Sequence, residues 1–175
     1  MRYKFFQVLL LLFLLARTIF SSAACGPSST LNVTQEKIIG YQKINSRNDD
    51  DFLYAFSFES EDKETDPYRT IVLSSTCSKI FEYRSGDFPF SLFTLSDTSE
   101  AIFSLSTSGS ALVMNVFYID QNNVVSHAFN AHSRNPPSFR FTKSASMPLI
   151  VLDDNKKKHR SYRFDYQKKI YIQMK

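Results

Sequence analysis

The chain has 175 residues, 43% hydrophobic and 15% aromatic, with 21 Lys and Arg against 17 Asp and Glu. The first 24 residues hold Arg2, Lys4 and Arg17 and no acid, so the rest carries 18 bases and 17 acids, a net +1 that excludes nucleic-acid binding argued from charge. Only four glycines are present and no Gly-x-Ser-x-Gly occurs, which excludes phosphate-cradling loops and a nucleophile elbow.

Residues 1–24 have the plan of a secretory signal peptide. Arg2 and Lys4 precede an apolar run from Phe5 to Leu15, and Ser21, Ser22, Ala23 and Ala24 offer small residues for cleavage after Ala23 or Ala24. A membrane anchor would need about 20 apolar residues, roughly twice this run. Lipoprotein processing at Cys25 would want an aliphatic residue where Ser22 stands. The expectation is a secreted, extracellular domain over residues 25–175, with no transmembrane segment once the signal is removed.

Cys25 and Cys77 are the only cysteines. In an oxidising compartment such a pair closes a disulfide, worth a few kcal/mol if unstrained; two free thiols are the alternative. Asn32-Val33-Thr34 is the single N-glycosylation sequon. An acidic block follows, with Asp49, Asp50, Asp51, Glu59, Glu61, Asp62, Glu64 and Asp66 against Lys63.

From Phe52 onward apolar residues alternate with period two. Phe52, Tyr54, Phe56 and Phe58 form one such series, then Phe88, Phe90 and Leu92, then Ala101, Phe103 and Leu105. Over Ala111 to Asp120, Leu112, Met114, Val116 and Tyr118 share one face while Val113, Asn115, Phe117 and Ile119 share the other. That strand should be central or sandwiched. Phe139 with Phe141, then Tyr162, Phe164 and Tyr166, then Ile170 with Ile172, continue the series. Turn signals at Ser85-Gly86-Asp87, Ser108-Gly109-Ser110, Gln121-Asn122-Asn123 and Pro136-Pro137 separate the runs. About ten short strands in one antiparallel β-sandwich are predicted, all-β in class.

Chemical constellations are sparse. His127 and His132 are five apart, which on a strand places them on opposite faces, and His159 stands alone. No metal site or cofactor is expected, although Asp49 to Asp51 offer clustered oxygens of the kind calcium takes. The tail sets Lys156, Lys157, Lys158, Arg160, Arg163, Lys168 and Lys169 among Tyr162, Tyr166 and Tyr171. Basic residues interleaved with aromatics suit a polyanion, and period two equally describes strands with a basic outer face.

The stretches Ser106-Thr107-Ser108, Val116 to Asn123, Pro136 to Phe141, Pro148 to Val151 and Tyr162 to Tyr166 together resemble the CUB-like domains of nematode secreted proteins. The family's Cys-x-Trp strand has no counterpart in a chain without Trp. The resemblance spans about residues 88–166 and implies a jelly-roll-like sandwich linked to defence, with no catalytic residue. The function expected is a non-enzymatic module recognising an extracellular protein or glycan. A lipocalin-like carrier of small apolar ligands and a hydrolase with a dispersed site are the alternatives.

Overall fold

The computed structural model describes residues 36–45, 52–60, 66–95, 100–142, 145–155 and 158–174. The export segment, Cys25, Asn32, the Asp49–Asp51 cluster, Lys156 and Lys157 lie outside these residues, and Lys158 is described by its backbone alone.

Twelve strands and no helix occur among the described residues, two strands more than the alternation predicts. They are β1 (Glu36–Asn45), β2 (Phe52–Ser60), β3 (Tyr68–Leu73), β4 (Lys79–Ser85), β5 (Phe88–Phe93), β6 (Ala101–Ser108), β7 (Ala111–Ile119), β8 (Val125–Ser133), β9 (Ser138–Arg140), β10 (Leu149–Asn155), β11 (Lys158–Asp165) and β12 (Ile170–Gln173). Instead of one sandwich they form three four-stranded antiparallel sheets, each a meander of consecutive strands: β1–β4, β5–β8 and β9–β12. The extra strands lack a clean alternation for a physical reason. β3 ends in Ile71-Val72-Leu73, which is apolar on both faces because both faces are buried.

The second sheet is shared. Towards the first sheet it presents Ile102, Phe117, Ile119 and Val125, which pack with Ile44, Leu53, Ala55 and Val72. Towards the third it presents Phe103, Met114, Val116, Tyr118 and Phe129, which pack with Ile150, Leu152, Tyr162, Phe164 and Tyr171. β7 is therefore interior to its sheet and covered on both faces, as its two apolar faces predict. Fully burying an aromatic or branched side chain contributes about 1.5–3 kcal/mol, so these two interfaces dominate stability. A third cluster, Tyr54, Phe56, Phe58, Ile71 and Leu73, lies on the opposite face of the first sheet.

The edges also meet. β1 is the edge of the first sheet and runs beside β5, the edge of the second. A bulge beside Ile38 places Gly40 where a Cβ would stand 3.3 Å from Leu92 Cβ, so the close approach of the two edges uses the missing side chain. On the other side β4 meets β8, again edge to edge.

The inward tyrosine of β12 corrects a further expectation. Tyr171 pairs with Phe164 and is buried, which turns Ile170 outward. Ile170 and Ile172 therefore do not face the core.

Candidate recognition site where two sheet edges meet

The junction of β4 and β8 gathers polar groups beside an otherwise apolar interface. Asn115 sits in the middle of β7 between Val113 and Phe117 on the face turned to the first sheet, and it is only 2% exposed. A buried amide costs free energy unless its hydrogen bonds are made. Its Oδ1 accepts twice, from Asn130 Nδ2 at 2.8 Å and from His127 Nε2 at 3.0 Å. An amide oxygen cannot donate, so His127 carries a proton on Nε2. Both donors lie on β8, the exposed edge, and one buried acceptor fixes the direction of each.

His127 also packs against Tyr83 of β4 at 4.6 Å between ring centroids, and against Phe117 at 5.6 Å. The residue as a whole stays exposed, yet these rings dry the imidazole itself. Desolvation lowers its pKa below the usual histidine value, partly opposed by a hydrogen bond with the Phe129 backbone. Burial raises the pKa of Tyr83, and the carboxylates of Asp87 and Asp66 add to the shift. Beneath this rim the buried floor is polar too. Ser57 and Thr70 share a hydrogen bond at 3.0 Å, and Ser104 and Ser106 are buried with them.

The expectation that His127 and His132 face opposite ways is corrected. Val113 pairs with His132 and Phe117 with His127, but Val116 pairs with Phe129. The bulge leaves Ala128 as an extra residue on β8, so the five-residue spacing returns both histidines to one face. His127, Asn130 and His132 thus form a polar row along a single edge. Tyr83, Asn115 and Asn130 escape sequence reasoning, although a lone amide on the apolar face Val113-Asn115-Phe117 was the available signal.

Of the basic tail, Arg160, Arg163, Lys168 and Lys169 are described with their side chains, and they lie in different surroundings. Arg160 lies on the inward side of β11, bonded to Asp154, to the His132 carbonyl and to Tyr162 Oη. Lys169 pairs with Asp120 at 2.8 Å in the turn after β11, at the opposite end of that strand from Lys158. Arg163 and Lys168 are exposed. Arg163 points outward from the third sheet opposite Ile172, and the β10–β11 register sets it in the same row as Leu149 and Arg140. Arg140 and Arg163 are thus two outward arginines about 10 Å apart, two strand spacings, on the third sheet.

Cys77 has left-handed backbone, φ +64°, in the turn between β3 and β4, and packs against the Tyr54–Leu73 cluster. No described cysteine is free. His159 Nδ1 stands 3.7 Å from Asp153 Oδ1, an exposed contact. Among the described residues no helix is long and apolar enough to cross a membrane. No family model matches the chain, and no curated protein matches it.

Proposed function

We propose that this protein is a secreted, non-enzymatic recognition module whose ligand docks on the polar edge formed by β4 and β8. The observation that carries the reading is the Asn115 amide, which is buried only to hold His127 and Asn130 in fixed directions on an exposed edge. Preoriented donors of this kind lower the entropic cost of binding. Amide, imidazole and phenol groups without a net charge suit a hydroxyl-rich ligand, so the ligand class is an extracellular carbohydrate or the glycan of a glycoprotein. The Cys25–Cys77 disulfide, glycosylation at Asn32 and cleavage before Cys25 belong to the same proposal. So does CUB-like kinship. It rests on the likeness of residues 88–166, nearly the span of the second and third sheets, which face each other as a sandwich.

A glycan array probed with the secreted protein tests this. Binding to neutral glycans should fall at least tenfold in Asn130→Ala and in Tyr83→Phe. Binding that survives both variants, or none above background, removes the site. The outward pair Arg140 and Arg163 favours a second reading, a sulfated or otherwise anionic glycan on the third sheet. Elution from heparin above physiological salt, lost in an Arg140→Ala, Arg163→Ala double variant, would support that reading instead.

A further inference from the structure

A surface tyrosine ordinarily lays its ring against the molecule and leaves its hydroxyl in water. Tyr166, in the turn between β11 and β12, is arranged the other way. It is 47% exposed, yet its Oη accepts from the Met147 amide at 3.0 Å and lies 2.8 Å from Ser146 Oγ. With the hydroxyl bound by the protein on two sides, the surface left to solvent is chiefly the ring. The hydrogen bonds also run in one direction. Ser146 Oγ donates its single proton to Glu100 Oε2 at 2.7 Å, so the proton between Ser146 and Tyr166 is the phenol's. The chain passes from the Met147 amide to Tyr166, from Tyr166 to Ser146, and from Ser146 to the Glu100 carboxylate.

Both ends of this chain are fixed. Glu100 is only 5% exposed, and its carbonyl accepts the Ile119 amide at the end of β7. Met147 is buried in the core between the second and third sheets. The ring is held as well. Phe164, itself in the core, meets it at 4.9 Å with the planes at 84°, a contact that occupies at most one of the two Tyr166 faces. Asp165 Oδ1 caps the turn by accepting from the Gln167 and Lys168 amides, and Lys169 ties it to Asp120 of the second sheet's turn.

We propose that Tyr166 is the stacking platform of a second carbohydrate site, which takes the C–H face of a pyranose while Ser146 Oγ and Tyr166 Oη accept from its hydroxyls. The proton order sets this polarity. Both oxygens direct their protons inward, and each keeps a lone pair. The site therefore offers acceptors beside a flat apolar ring. Its ligand must bring a C–H face and hydroxyl donors together, as an equatorially substituted pyranose does and an aliphatic or phenyl side chain does not. Lys168, exposed in the same turn, disfavours a cation over the ring. A platform fixed at ring, hydroxyl and backbone keeps the ordering cost of binding low. The site extends the carbohydrate reading but shares no residue with the β4–β8 edge, so either can fail alone.

The test titrates the secreted protein with cellohexaose and with N-acetylchitohexaose, both chains of equatorial pyranoses, and follows aromatic and amide signals by NMR. Saturable shifts are expected at the Tyr166 ring and the Met147 amide with at least one of the two. Read at the Met147 amide, Tyr166→Ala should weaken binding at least tenfold. Tyr166→Phe keeps the ring but loses its anchor, and Ser146→Ala loses an acceptor, so both should weaken it by a smaller factor. The double variant Tyr83→Phe, Asn130→Ala should leave the Tyr166-centred shifts unchanged, even where it abolishes binding at the β4–β8 edge. The inference is overturned by a silent Tyr166 ring in the unaltered protein with both sugars, a result that needs no variant to fold. Unchanged affinity in Tyr166→Ala would overturn it, as would loss of the Tyr166 shifts in the β4–β8 double variant. A larger response to phenol than to either sugar would give the platform to an aromatic side chain and overturn it too.

Discussion

Asn115 is a single amide in an apolar strand, and removing it should affect both stability and binding. Asn115→Ala leaves His127 Nε2 and Asn130 Nδ2 without their shared acceptor, and should cost about 1–3 kcal/mol in chemical denaturation. His127 adds a pH dependence. Its folded pKa lies below the unfolded value of about 6.5, so the unfolded chain takes up the proton first as pH falls. The contribution is full above about 6.5 and is lost as pH drops through the folded value. Thermal melts across that interval should show stability declining toward acid, and His127→Gln should flatten the decline. An unchanged slope in that variant would mean that the Tyr83 and Phe117 rings leave the imidazole fully hydrated.

At the scale of elements, turns and close approaches decide register. Asp120 Oδ1 accepts from the Asn122 and Val124 amides at 2.9 Å each, while Oδ2 takes the Lys169 ammonium. The Lys169 hydrogen bond is the main reason the carboxyl pKa is lowered. Asp120→Asn keeps an acceptor for the turn and loses only the ion pair, so its melting temperature should sit between wild type and Asp120→Ala. If the two variants melt alike, the turn amides contribute nothing. These elements were unequally visible in the sequence. The two-sided β7 and the turns at Ser108-Gly109-Ser110 and Gln121-Asn122-Asn123 announce themselves, because pleat alternation and left-handed residues such as Gly109 and Asn123 are local properties. Bulges are not local. The extra Ala128 turns His127 toward Asn115, and it depends on β7 pairing that no spacing rule reveals. The candidate β4–β8 site was hidden for the same reason, since Tyr83 reaches His127 only after two separate sheets have packed.

For the whole molecule, the shared second sheet makes the three sheets one cooperative unit. Phe117 belongs to the interface with the first sheet and Phe103 to that with the third, and both are fully buried. Truncation of either to Ala should cost about 3–5 kcal/mol and lower a single unfolding transition seen equally by all probes. Two separated transitions would mean that a sheet unfolds alone. The proposed recognition at the β4–β8 edge would depend on that packing, because Tyr83 comes from the first sheet and His127 and Asn130 from the second. The most direct test is NMR shift mapping as the secreted protein is titrated with its strongest array glycan. The expected result is perturbation centred on the Asn115 and Asn130 amides, the His127 imidazole and Tyr83. Shifts confined to Arg140, Leu149 and Arg163, with the β4–β8 edge silent, would contradict it.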